Sequence, residues 1–159
     1  MVIDVPAVKG ELLKAVNIEV GSRYVSSEYM DALVLELKLE LEDGRMFTMV
    51  SIPADVAEAI KMMTSYGPAP RRQSLFAFLN SNERFKEVLG QSLKHVVVDE
   101  LDRETGLYSA SVTFEEDGVR ISIKMIPSHA IYLALLTGKS IYVKRELVDQ
   151  QESEEEEGE

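Results

Sequence analysis

The sequence predicts a single α+β domain, an antiparallel-rich mixed sheet with helices packed on it. Three observations carry this. Residues Leu33 to Leu41 read LVLELKLEL, with Leu33, Leu35, Leu37, Leu39 and Leu41 on one face and Glu36, Lys38 and Glu40 on the other, the alternation of a half-buried strand. Two Asp-Gly pairs, Asp43-Gly44 and Asp117-Gly118, each join two apolar stretches, and each unit ends in Ile-Pro. Apolar residues make up 45% of the 159 residues and charged ones 28%, enough to bury the core of one domain.

Element by element, the strand at Leu33–Leu41 turns at Asp43-Gly44 and returns over Met46 to Ile52. Pro53 stops it. Proline lacks the N–H that a first helical residue leaves unpaired, so Pro53 opens a helix to about Tyr66, with Val56, Ile60 and Met63 inward. Gly67 to Arg72 breaks that helix. A second helical stretch runs from Ser74 to Leu89 with Gly90 as its stop. Asn80-Ser81-Asn82 interrupts it, and Ser81 as a cap would divide it into two short helices. A strand at Lys94–Leu101 follows, then a turn at Asp102–Gly106 and a hairpin of Leu107–Phe114 with Val119–Ile126. Pro127 opens a helix through Leu136 that is apolar all round and therefore buried. Gly138 closes it, and a strand Ile141-Tyr142-Val143 and a helical turn from Arg145 to Val148 end the domain at residue 149.

The two halves superpose in sequence. Glu42-Asp43-Gly44 matches Glu116-Asp117-Gly118, and Ile52-Pro53 matches Ile126-Pro127, at one constant offset of 74 residues without a gap. Two readings stand: an internal β-hairpin–helix pseudo-repeat, or the chance agreement of two common local signals. A true repeat makes Asp55 and His129 equivalent positions at two helix N-termini.

The formal charge of -11 is unevenly spread, because residues 151–159 hold six glutamates and no base. The remainder has 17 basic and 22 acidic residues, a net of -5, without the basic excess that usually drives phosphate binding. The segment 150–159 reads as a disordered, solubilising acidic tail. With no cysteine there is no disulfide, thiolate metal site or cysteine nucleophile. No stretch reaches the length of a membrane span and no signal peptide is apparent, so a cytoplasmic protein with no membrane partner is expected.

Phosphate loops, HExxH, GxSxG and calcium-loop motifs are all absent. Two histidines exclude a multi-histidine metal centre within one chain. The densest acidic group is Asp99, Glu100, Asp102 and Glu104, and a divalent cation such as Mg or Mn would need carboxylates to converge there, with Asp99 and Asp102 the candidate ligands. Neighbouring strand residues point to opposite faces, which separates Asp99 from Glu100. At a helix N-terminus the backbone dipole disfavours the imidazolium, so a neutral His129 is a candidate proton acceptor, against the plainer reading of a packing residue. His95, beside Lys94, reads as an exposed or edge residue. Arg71-Arg72 are candidate phosphate contacts, against simple surface solvation.

The run from Pro127 to Val143, PSHAIYLALLTGKSIYV, with Glu146-Leu147-Val148-Asp149 after it, resembles the C-terminal signature of the bifunctional nuclease domain family, and Ile52 to Ile60 resembles the family's other helix start. The resemblance spans roughly residues 12 to 149. It implies a compact α+β domain, often a homo-oligomer, with nuclease activity on RNA and DNA in some plant members. Three positions depart from the pattern: His129 replaces an Asp after Pro-Ser, Leu136 replaces an Arg, and Arg72-Gln73-Ser74-Leu75 stands for a Thr-His-Asp-like segment. For metal-assisted phosphodiester hydrolysis this leaves Asp55, Glu58 and the acids from Asp99 to Glu104, with His129 as base. The alternative is a non-catalytic interaction or small-ligand module that kept the fold.

Overall fold

The computed structural model describes residues 11–64 and 71–157. Seven strands and five helices follow in the order β1 (Leu12–Ser26), β2 (Asp31–Leu41), β3 (Met46–Val50), α1 (Ala54–Thr64), α2 (Leu75–Asn80), α3 (Glu83–Ser92), β4 (Leu93–Asp102), β5 (Leu107–Glu116), β6 (Val119–Met125), α4 (Pro127–Thr137), β7 (Ser140–Lys144) and α5 (Arg145–Glu157). The strands form one sheet in the order β3-β2-β1-β7-β4-β5-β6. Every neighbouring pair is antiparallel except β4 with β7, so the α+β expectation holds.

The 74-residue offset is architectural. It carries β2, β3 and α1 onto β5, β6 and α4 with boundaries agreeing to within two residues. Each half is a three-stranded meander followed by a helix, and β7 stitches the halves together between β1 and β4. Both hairpins turn at the expected Asp-Gly pair. Asp117 (φ 51°) and Gly118 (φ 79°) are both left-handed, the backbone that matches the twist of the flanking strands.

The sheet curls. In a flat sheet β3 and β5 would lie five strand spacings apart, about 24 Å. Instead the ring of Phe47 on β3 meets that of Tyr108 on β5 edge-on, centroids 5.1 Å apart. The core fills the enclosed face: Leu37, Leu39, Leu41 and Phe47 from one half, Val96, Val98, Ala110 and Val112 from the other, with Val56 and Ile60 of α1 and Ile131 and Tyr132 of α4. Tyr132 is wholly buried and ties the helices together. Its hydroxyl lies 2.6 Å from the Phe76 carbonyl oxygen and 2.9 Å from Asn80 Oδ1, both on α2. Asn80 Nδ2 in turn donates to the Ala59 carbonyl of α1 at 2.9 Å.

Several local expectations are corrected. β1 has no counterpart in the sequence reading, because only the start of its alternation faces the core and most of its later residues are exposed. The same projecting hairpin leaves Leu33 66% exposed, although it shares a face with the buried Leu37 and Leu39. His95 is neither exposed nor at an edge: it is 3% exposed on β4, which pairs on both sides. The second helical stretch does divide, but Asn82 caps α3 through Phe85 N, while Ser81 ends α2. Gly90 does not stop α3, which continues to Ser92. The acidic segment is not detached from the domain, since α5 runs unbroken through Glu157. The expected end of α1 near Tyr66 and the break at Gly67 to Pro70 lie outside the described residues.

Burial pushes the Tyr132 phenol up to about 12, from an ordinary value of 10. The folded state therefore favours the neutral phenol, a contribution complete below pH 10 and lost as pH rises toward 12. Tyr132→Phe should lower stability at neutral pH by about 1–2 kcal/mol, because it removes the single hydroxyl donor shared by two part-buried acceptors. It should also flatten the alkaline fall in stability between pH 10 and 12, measured as thermal midpoints across that range.

Candidate functional site

Curling brings the hairpin of each half to one seam. The seam is an open cleft of about 810 Å³. From the first half come Thr48 to Pro53, the end of β3 and the approach to α1, and from the second come Leu107 to Ser109 and Lys124 to Ser128, the approach to α4. Ile52-Pro53 and Ile126-Pro127, equivalent by the 74-residue offset, thus line the same cleft. Its walls are largely apolar, and Val50, Leu107 and Ile126 stand more than half exposed in them.

Ser51 holds φ 60°, the left-handed region, at the bend between β3 and α1. A non-glycine residue there costs of order 1 kcal/mol or more, so the surrounding structure imposes the bend. Its backbone neighbour is anchored, since Ile52 N donates to the Leu35 carbonyl at 3.0 Å. At the equivalent bend, Ile126 precedes α4 without any side-chain cap. Ser128, the second residue of α4, is 1% exposed, and its hydroxyl has no hydrogen-bond partner.

Two cations reach the cleft. Arg23 of β1 pairs with the buried Glu36 at 3.2 Å, beside Lys38 at 3.5 Å. Lys124 of β6 pairs with Asp99 at 2.7 Å and Glu100 at 3.2 Å. Burial works to lower the Lys124 pKa, but hydrogen bonds from its ammonium to Asp99 and Glu100 outweigh that and hold it above the usual lysine value. The ammonium is charged throughout the neutral range.

Helix α5 closes one side. Thr48 N donates to Gln151 Oε1 and Gln151 Nε2 donates to the Thr48 carbonyl, both at 2.8 Å. One side-chain amide thus stands in for a strand neighbour on the free edge of β3. Gln151 also reaches the Tyr108 hydroxyl across the seam at 3.4 Å. Arg45 fixes the helix further, donating to Asp149 and Glu152 at 2.7 Å each, and Glu155 brings a carboxylate to the cleft margin.

The residues singled out in the sequence fall elsewhere. Asp55 is exposed in the first turn of α1, its Oδ1 accepting from Val56 N at 2.8 Å, and Glu58 is exposed one turn later. His129 is half-buried with its ring against Phe76, centroids 5.0 Å apart. Arg71 and Arg72 lie exposed in the bend before α2. None of these five lines the cleft. Asp99 is the extra residue of a bulge in β4, between the paired Val98 and Glu100, which is why it and Glu100 reach one lysine despite being adjacent. Its other oxygen accepts from Ser111 Oγ at 2.7 Å. Asp102 instead organises the following turn, accepting from Glu104 N at 2.9 Å. Both are occupied, on separate tasks. Among the described residues no three of His, Asp and Glu come together as a metal site.

Sequence reasoning does not select Ser128, Ser51, Lys124, Arg23 or Gln151. The offset is the available signal for Ser51 and Ser128, since both flank a repeated Ile-Pro. Arg23 and Gln151 carry none, because each reaches the seam only through the curl.

A curled sheet of two repeated hairpin–helix units, with an apolar cleft between the two helix approaches, defines an α+β domain. The family model of the bifunctional nuclease domain matches residues 37–156, about three quarters of the chain, which therefore belongs to the bifunctional nuclease domain family. No curated protein matches the sequence. No helix among the described residues is long and apolar enough to cross a membrane.

Gln151→Ala should destabilise the domain by about 1–2 kcal/mol, the usual net effect of losing hydrogen bonds to part-buried backbone groups. Urea unfolding checks this. A midpoint unchanged from the native chain would mean that α5 does not hold the seam.

Proposed function

We propose that the domain binds RNA or DNA strands at the seam and hydrolyses their phosphodiester bonds. The observation that carries this reading is the cleft shared by both hairpin–helix units in a chain of the bifunctional nuclease domain family. Hydrolysis adds water across a P–O bond, so one product keeps the phosphate and the other a ribose hydroxyl, and a base must take a proton from the water. His129 is assigned that role because it follows the cleft-lining Ser128 in the first turn of α4, although its own ring packs on Phe76 outside the cleft lining. Asp55 occupies the corresponding turn of α1 and Glu58 follows one turn later, and both are assigned supporting roles. Arg71 and Arg72 are assigned to the strand's phosphates beyond the cleft. Magnesium or manganese is assigned as an external activator, since the described acids offer it no ready-made site.

A second reading has its own support. The carboxylates do not converge, and His129 replaces the acid expected after Pro-Ser, which favours a binding module, acting as a homo-oligomer, that has the fold without the chemistry.

Incubation with single-stranded RNA and DNA, with and without Mg or Mn, separates the two. The nuclease reading expects metal-stimulated cleavage and a loss of about 10²-fold in rate for His129→Ala. Absence of cleavage under every condition leaves the binding module. Cleavage indifferent to the substitution takes His129 out of the chemistry.

A further inference from the structure

The cleft holds one feature that packing does not explain. The Ser128 hydroxyl is buried without a partner, an arrangement that costs about 1–3 kcal/mol if nothing meets it. Ser128 lines the cleft at the start of an eleven-residue helix whose preceding residue supplies no cap. Pro127 has no N–H, and the N–H groups of His129 and Ala130 already turn back to the Ile126 carbonyl at 3.1 and 3.0 Å. The buried hydroxyl and the Ser128 N–H are therefore the donors left without a partner in the first turn of α4, at the end where the helix dipole favours negative charge.

Lys124 adds a third. An ammonium has three N–H donors, and Asp99 and Glu100 engage two of them, leaving one for a ligand. Around this polar corner the walls are apolar: Val50, Leu107 and Ile126 are exposed, and Ile52 and Tyr108 are half-buried. Such surfaces suit the flat face of a base, and a paired duplex hides its base faces in the stack. A cleft of about 810 Å³ also falls in the range of about 300–1,000 Å³ that encloses one small ligand.

We infer that the seam takes an unpaired nucleotide unit, its phosphate held by Ser128 and Lys124 at the start of α4 and its base laid against the Ile52 and Ile126 wall. This rests on the seam being the nucleic-acid site, and it requires no hydrolysis.

The test is fluorescence anisotropy of short labelled single strands and of the same sequence as a duplex, with metal chelated so that binding is read apart from cleavage. Single strands should bind more tightly than the duplex, and a nucleoside monophosphate should compete better than inorganic phosphate. Ser128→Ala should weaken single-strand binding about tenfold, as expected for loss of a hydrogen bond to a charged group, while leaving urea stability equal to or above the native chain. Ile126→Ala should weaken the single strand and the nucleoside monophosphate without changing inorganic phosphate. Duplex binding at least as tight as single-strand binding, or an unchanged affinity in Ser128→Ala, overturns the inference. Single-strand binding by a chain that never cleaves upholds it while ending the nuclease reading, and cleavage confined to duplexes does the reverse.

Discussion

The edge-on contact of Phe47 with Tyr108 is the constraint on which the rest of the molecule depends. It joins strands that a flat sheet would hold about 24 Å apart, so everything between them must bend to permit it. The bending has identifiable sources. β1 carries an irregularity between Ala15 and Asn17, where it stops pairing with β7 and continues along β2, and β4 carries two more. An extra residue on one strand increases local twist, so three such sites on the central strands turn an open sheet toward closure. The closure is incomplete, and the seam where it stops is the cleft.

Duplication explains why the cleft has two like walls. Each half ends its hairpin in Ile-Pro, which simultaneously stops a strand and starts a helix, and curling sets the two turns against one space. On either side of these prolines the halves diverge. Before the first proline, Ser51 is held in a left-handed backbone; before the second, the equivalent position is Met125 in an ordinary strand. One residue past the second proline stands buried Ser128, where the first half has exposed Ala54. The architecture is therefore symmetric while the polar groups are not, which is the arrangement needed to orient one asymmetric ligand.

Local order is legible in the sequence to the extent that local residues cause it. The Asp-Gly turns, the proline helix starts and the core face of β2 from Leu37 onward each follow from a few adjacent side chains, and all stand in the structure. β1 is not legible, because its outer half projects beyond the helices and no buried face enforces alternation there. His95 reads as exposed because its burial on β4 comes from β5 and β7, partners far away in sequence. The acidic segment misleads for a similar reason: composition sees self-repelling glutamates, whereas the fold supplies Arg45 and the free edge of β3 to hold the helix that carries them. The candidate site suffers most. Reactive residue types draw the sequence reading to His129, Asp55 and the Asp99 group, while the cleft is assembled from serines, prolines and apolar side chains whose importance lies in placement alone.

Charge placement bears on how the seam would bind. The chain is strongly acidic, and the two cations of the cleft are each matched to buried or half-buried carboxylates, Arg23 to Glu36 and Lys124 to Asp99. Long-range attraction for a polyanion is correspondingly small, and α5 adds Glu155 at the margin. Under the proposed binding mode the carboxylates nevertheless help, because they fix two long side chains in position before any ligand arrives and so reduce the ordering cost of binding. Under the proposed nucleotide-binding mode, selection comes from the fit of one phosphate to a short row of fixed donors and of one apolar face to the seam. A strand that passes over the surface without entering gains neither.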